Sequence, residues 1–385
     1  MSASRTLAID ASNIRDGGGI THLSRLLGSA NPGEYGIGRV FIWGRAATLA
    51  ELPDRPWLSK VHVPLLERSL PLRVFWQQLL LPGEVTKAGC VALFSPGGTI
   101  PAMCPVPVVM LSQNLLPFSP EALKSYSLFS RVRLKMALLK QAQAASARNC
   151  DGIIFLSDYA RSTVFSAANA PRTLKTAVIP HGIEERFFYA PRPQSRPENF
   201  TSERPARLLY VSAIDGYKHQ IEVAAAVAAL RRKGLSVAMD FVGFPRSAYL
   251  GAFIDELKRL DPDGKFLRWR GEVPFSSLHE VYRGADIFIF ASSCENLPNI
   301  LIEAMASGLP IACSDREPMP AVLQDGGCYF KPVDPVSIAS ALEQLMNSPE
   351  TRSTLAARAY ELAKPYSWKK CADDTFAFLS RVSAS

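Results

Sequence analysis

The feature that most constrains the fold is a recurrence of short apolar runs, each followed by a longer segment with helical spacing. In the first half the runs are RTLAID, RVFIWG, VALFSP, VPVVML, DGIIFLS and TAVIPHG; in the second they are RLLYVS, VAMDFVG, KFLRWRG, IFIFAS and PIACSD. Runs that are apolar almost throughout, rather than alternating, predict strands buried on both faces, and their alternation with helices predicts parallel sheets. Two such sets predict two doubly wound α/β domains. A chain of 385 residues is also too long for one ordinary core.

Between the sets lies YAPRPQSRPENFTSERPAR, where Pro191, Pro193, Pro197 and Pro205 interrupt any regular element. This predicts a linker over 189–205, a first domain over 1–188 and a second over 206–364. After Pro365, the residues Trp368, Cys371, Phe376 and Leu379 recur at roughly helical spacing and predict a final amphipathic helix within 365–385.

Composition excludes several classes. With 48% apolar and 20% charged residues the chain reads as globular, and a formal charge of +8 favours anionic partners such as nucleotide phosphates, phospholipid head groups or nucleic acid. The seven cysteines are scattered without a CxxC pair, so neither a disulfide framework nor a zinc site is signalled, and a reducing cytosol is expected. No signal peptide is read in MSASRTLAID, and no apolar run reaches the roughly 18 residues that a membrane span requires.

Ligands of doubly wound sheets bind where strands end and helices begin. After IFIFAS comes SCENLPNILIEAMASG, with Pro298 suited to the first helical position and Gly308 to a helix end. The backbone N–H groups of Asn299 and Ile300 would then point outward with the positive end of the helix dipole, toward a phosphate or a sugar oxygen. Glu303 falls four residues after Asn299, on the same face, and Glu295 lies in the preceding loop. One carboxylate could accept hydrogen bonds from a ribose diol and the other from a hexose hydroxyl. Glu295 alone reads equally as a loop charge. The neighbours of Glu303, namely Ile302, Ala304, Met305 and Ala306, read as buried, where an unpaired carboxylate is costly.

The pattern Glu295, seven residues, Glu303, followed by AMASGLPI, resembles the signature of the large retaining glycosyltransferase family with the GT-B fold, the glycosyltransferase group 1 family. GGGITHLSRLL, DGIIFLSDYARSTV, IPHGI, LLYVSAIDGYKHQ and FLRWRGEVPFSSLHEVYRGADIFIFAS fall in the matching order, and the likeness is strongest from Leu208 to Asp315. It implies two doubly wound Rossmann-like domains facing a central cleft, with the final helix packing back on the first domain. It also implies that Glu303 holds the nucleotide ribose and Glu295 contacts the donor sugar. The backbone of Asn296, Leu297, Pro298, Asn299 and Ile300 would cradle sugar and diphosphate, and Lys218 in SAIDGYKHQ would bind the diphosphate. Many relatives carry an arginine five residues before that lysine, where this chain has Ala213.

In the first domain, Gly17, Gly18 and Gly19 read as a loop after the first strand, where chain without Cβ atoms can approach a phosphate or the reacting sugar; a plain turn explains them as well. His22 could touch the acceptor or lie on a helix surface. Gln113 and Asn114 stand where many relatives have a histidine, and amides position hydroxyls rather than act as bases. His181 and His219 read as structural or peripheral. Asp261 and Asp263 formally resemble a metal-binding Asp-x-Asp pair, but Pro262 and Gly264 make the segment a turn, so no metal is assigned.

From Glu121 to Cys150 one acidic residue stands against Lys124, Arg131, Arg133, Lys135, Lys140 and Arg148, with Leu128, Phe129, Val132, Leu134, Met136, Leu138 and Leu139 between them. That pattern suits either contact with an anionic membrane surface or an ordinary helix with a solvated basic face. The aromatics do not interleave with the basic residues as stacking platforms for nucleic acid would.

The expected activity is therefore retaining, metal-independent hexosyl transfer from a nucleotide-diphospho-sugar, used as co-substrate without a further cofactor. The acceptor would be a saccharide or lipid-linked saccharide in surface polysaccharide assembly, with the protein expected in the cytoplasm or peripheral on the inner membrane face. Two rivals share the scaffold: a sugar-nucleotide epimerase, and a non-catalytic nucleotide-sugar-binding subunit.

Overall fold

In a computed structural model of the chain, the described residues are 4–384 apart from 16, 125, 127–129 and 172. Among them, thirteen strands form two sheets: β1 (Arg5–Asp10), β2 (Ile37–Gly44), β3 (Leu58–His62), β4 (Ala92–Ser95), β5 (Val108–Ser112), β6 (Gly152–Phe155) and β7 (Lys175–Val178) in one, and β8 (Ala206–Val211), β9 (Val237–Val242), β10 (Leu267–Trp269), β11 (Ile287–Phe290), β12 (Ile311–Ser314) and β13 (Cys328–Phe330) in the other. Every pairing is parallel. The orders are β3-β2-β1-β4-β5-β6-β7 and β10-β9-β8-β11-β12-β13, so the order in which strands are added reverses once in each sheet, between β1 and β4 and between β8 and β11. The crevice beyond the strand ends at such a reversal is where doubly wound folds bind ligands.

The central strands are the apolar runs of the sequence. All four residues of β4, β6, β11 and β12 are buried, which requires helices on both faces. Sequence reading missed β3 and β13, which lie at sheet edges. The residues of β3 are half-buried or exposed, and β13 has three residues.

The chain divides into two compact units, Met1–Gly182 with Ser367–Ser385, and Ile183–Tyr366. The boundary thus precedes the expected linker, and residues 189–205 belong to the second unit. They are pinned there. Buried Arg352, from the helix Pro349–Ala363, donates to Gln194 Oε1 at 3.2 Å and to the Ser195 carbonyl, while Arg192 donates to the Arg283 carbonyl at 2.9 Å. The prolines break regular structure without freeing the chain.

The final helix runs Trp368–Ser383, capped by the Ser367 hydroxyl accepting from Lys370 N at 3.1 Å. Cys371, Phe376 and Leu379 are buried, and Arg5 in β1 donates to Ser380 O at 3.2 Å and to the Ser383 hydroxyl at 2.8 Å. This helix is therefore part of the first unit. The helix Arg131–Asn149 buries Met136, Ala144 and Ala147 and leaves Leu134 and Leu138 exposed; Leu128 and Phe129 lie outside the described residues.

Candidate functional site

At the reversal of the second sheet, the loops after β8 and β11 are stitched together. Ser293 N donates to the Tyr217 carbonyl at 3.0 Å, and the His219 ring meets the Ser293 hydroxyl at 3.0 Å. His219 takes a left-handed conformation, φ 54°, at the start of the helix Gln220–Arg232. Asp215 caps the preceding 3-10 turn, Gly216–Lys218, by accepting from Gly216 N at 2.8 Å.

This arrangement joins Lys218 and Glu295, which stand 77 residues apart in sequence, in a direct ion pair. Neither side chain is mainly in solvent, with 7% and 16% exposed. Lys218 Nζ also lies 5.1 Å from the Tyr217 ring centre and 5.6 Å from that of Phe290. The Tyr210 hydroxyl donates to the Lys218 carbonyl at 2.7 Å. Burial disfavours the ammonium, but the Glu295 carboxylate outweighs it, and the lysine pKa is raised. A cation held charged in a buried place is suited to binding an anion.

Glu303 lies in the helix Asn299–Ala306 and is 7% exposed. Burial pushes its pKa up to about 7, opposed by the Tyr282 hydroxyl, which donates to Glu303 Oε2 at 2.9 Å. Tyr282 also reaches the Ile300 carbonyl at 3.3 Å. Sequence reading missed this tyrosine. Its signal was a phenol at the end of the helix Phe275–Gly284, which leads directly into β11.

Two details at the helix head differ from expectation. Pro298 is the N-cap, and the helix begins at Asn299. The Asn299 N–H, expected to point outward, donates to Leu297 O at 2.9 Å, because the segment before the helix closes a tight turn. Asn296, Leu297 and Pro298 are buried, while Asn299 and Ile300 are half-buried. Gly308 follows the helix with φ 63°. A Cβ there would meet the Tyr189 carbonyl oxygen at 2.5 Å, so glycine is required both by conformation and by space.

The first unit presents a different picture. Gly18 and Gly19, expected in a loop, form the first turn of the helix Gly18–Ser29, and only Gly17 of the three has a positive φ. A Cβ on Gly19 would lie 3.5 Å from Gln113 Oε1, which brings these two candidates together. The Gln113 Nε2 atom is buried and has no hydrogen-bond partner among the described residues. Asn114 accepts from Leu116 N at 3.1 Å and so fixes the backbone of its own loop.

His22 does not lie on a helix surface. It is 3% exposed and packed at a tilt against His181, ring centres 4.4 Å apart, and against Trp368 at 5.8 Å. Burial holds its pKa well below the usual value, and that of His181 at about 4. The helix face bearing His22 packs under the final helix, which sequence spacing alone does not reveal.

Asp261 accepts from Phe266 N at 2.6 Å and Leu267 N at 2.8 Å, consistent with a turn. Among the described residues no cluster of three or more potential metal ligands occurs, and no helix is long and apolar enough to cross a membrane.

Two parallel doubly wound sheets, with a buried lysine–glutamate pair and a second buried glutamate at one switch point, define a GT-B architecture. The comparisons agree. Residues 191–362 match the family model of the glycosyl transferases group 1. It is 31% identical over 132 residues to O-antigen chain mannosyltransferase B of Escherichia coli, covering 34% of this chain and 35% of that protein. It is 28% identical over 233 residues to D-inositol 3-phosphate glycosyltransferase of Geodermatophilus obscurus, covering 57% and 50%. The alignments thus span between about a third and half of these relatives' lengths. The crystal structure of Anabaena Alr3699/HepE in complex with UDP and glucose superposes with a TM-score of 0.69 at 15% identity, covering 96% of this chain and 98% of that one, which shows the shared fold.

Proposed function

We propose that the protein is a retaining glycosyltransferase that moves a sugar from a nucleotide-diphospho-sugar to a hydroxyl of a saccharide or lipid-linked saccharide, in surface polysaccharide assembly. The observation that carries this reading is the buried Lys218–Glu295 pair at the switch point of the second sheet, beside the head of the helix that carries Glu303. The second unit binds the donor. Glu303 accepts from the ribose hydroxyls, Asn296 to Ile300 cradle sugar and diphosphate, and Lys218 neutralises phosphate charge. The first unit binds the acceptor, with His22, Gln113 and Asn114 as its candidate contacts.

In this reading Lys218 leaves Glu295 for the leaving diphosphate, and Glu295 becomes an acceptor for a sugar hydroxyl. A front-face displacement suits these residues. The acceptor oxygen forms its bond to the anomeric carbon on the side from which the diphosphate departs, and the acceptor proton passes to a phosphate oxygen. Lys218 stabilises the charge developing on the leaving group. No metal is needed for that step. The exposed Leu134 and Leu138, set among the exposed Arg131 and Lys135, support a peripheral contact with an anionic membrane surface on the cytoplasmic side.

The test is an incubation of the protein with α-linked UDP-, GDP-, ADP- and TDP-hexoses and a panel of saccharide acceptors, with products read by NMR. An α-linked product, lost in Glu295→Ala at unchanged fold, is expected. A β-linked product contradicts retention, an altered sugar nucleotide without transfer indicates an epimerase, and binding without turnover indicates a binding subunit.

A further inference from the structure

The ion pairs around Lys218 leave a charge problem. Lys218 and Glu295 are one pair, and Arg246 with Asp215 is a second, Nη1 to Oδ2 3.3 Å. Together these four groups are formally neutral, yet a nucleotide diphosphate brings more than one negative charge, which a single lysine does not balance. Asp215 caps the Gly216–Lys218 turn, accepting from Gly216 N at 2.8 Å, so one short turn joins the two pairs.

Arg246 is built into this place by backbone geometry. It sits in the loop after β9, and that loop is zipped to the loop after β8: Ile214 N donates to the Phe244 carbonyl at 3.0 Å, Arg246 N donates to the Ile214 carbonyl at 3.1 Å, and Ile214 bridges Pro245 in parallel. The approach is close enough that a Cβ on Gly243, whose φ is 145°, would overlap the Ser212 carbonyl. Ala213, the residue beside Ile214, contributes only a methyl group. The guanidinium therefore reaches the end of β8 from the neighbouring loop. Its Asp215 partner is 4% exposed, whereas the arginine side chain is 48% exposed.

We propose that Arg246 is the second phosphate-binding cation of the donor site, acting from the β9 loop at the place that Ala213 leaves without a charge. Asp215 holds the guanidinium in position while the site is empty, as Glu295 holds Lys218. On binding, both cations turn toward the diphosphate, where arginine can make two parallel hydrogen bonds. This inference rests on the reading that the second unit binds a nucleoside diphosphate.

The experiment is titration calorimetry of the full chain with UDP, GDP, ADP and TDP, and with the nucleoside and nucleoside monophosphate of whichever base binds. Arg246→Ala is expected to weaken the diphosphate by about tenfold or more, to leave the nucleoside unchanged, and to flatten the salt dependence of binding. Adding Ala213→Arg to that variant is expected to restore affinity, and Asp215→Asn alone to tighten it. Thermal unfolding of each variant checks the fold, with Arg246→Gln in reserve should the alanine variant unfold. A wild type that binds none of the four diphosphates overturns the donor-site reading and this inference with it. A wild type that binds, with Arg246→Ala equal to it or weakened alike for nucleoside and diphosphate, overturns the role of Arg246 alone.

Discussion

Replacing Glu303 by glutamine should make the second unit more stable at pH 8 and change little at pH 4. Burial raises the Glu303 pKa from 4.5 to about 7. The folded state therefore holds a proton that the unfolded chain releases between those values. Its stability is highest below pH 4.5 and falls as pH rises through 7, where the buried carboxylate must ionise. At about 1.4 kcal/mol per pH unit, the separation corresponds to about 3 kcal/mol. Glutamine keeps an oxygen to accept from Tyr282 and never ionises, so Glu303→Gln should escape this loss. Hydrogen exchange of the amides in β8, β11 and β12, followed by mass spectrometry from pH 4 to 8, reads the stability of this unit locally. Wild-type and variant curves should diverge by about 3 kcal/mol across that window. Curves that stay parallel would refute the reasoning, since they require a carboxylate that is not desolvated. The same logic ties pH to ligand. Hydroxyls donating to Glu303 favour its charged form, so nucleotide affinity should rise with pH up to about 7 and binding at pH 6 should release protons.

Lys218→Ala should lower transfer by about a hundredfold or more, because the leaving diphosphate loses a buried cation; steady-state rates at saturating donor check this, and an unchanged kcat would contradict it. Gly308→Ala should destabilise the second unit by more than about 2 kcal/mol, since its left-handed backbone and the Tyr189 carbonyl both exclude a Cβ; urea unfolding measures it. In the first unit the sign of the pH effect reverses. Burial depresses His181 to about 4, so the stability it contributes is present above pH 6.5 and lost as pH falls, by about 3 kcal/mol for this residue. Exchange protection of β1 and the final helix should therefore decline between pH 6.5 and 4, and His181→Gln should blunt the decline.

The central strands were legible in the sequence because strands buried on both faces are apolar throughout, and IFIF and IACS carry that signal without ambiguity. The edge strand LSKVH carries no such signal, because one side of it faces solvent or a loop. The stretch 189–205 misled for a related reason. Prolines report what the backbone cannot do locally, whereas the anchor that fixes this segment, Arg352, comes from 157 residues away. Glu303 was legible as a buried carboxylate from its neighbours alone. Its phenolic partner Tyr282, the pairing of Lys218 with Glu295 and the zipping of the β8 and β9 loops depend on strand order, which no local pattern encodes. His22 shows the same limit from the other side. A histidine on a glycine-rich helix start reads as available until the final helix is known to cover it.

The most direct test of the account is a thermal-shift panel of UDP-, GDP-, ADP- and TDP-sugars against the wild type and Glu303→Ala. A ligand that binds only the folded state raises its stability, by about 2.7 kcal/mol at a hundredfold excess over Kd. One nucleotide series that stabilises the wild type and leaves the variant unmoved is the predicted result. Stabilisation of both proteins alike, or of neither by any of the four series, would contradict a donor site built on Glu303.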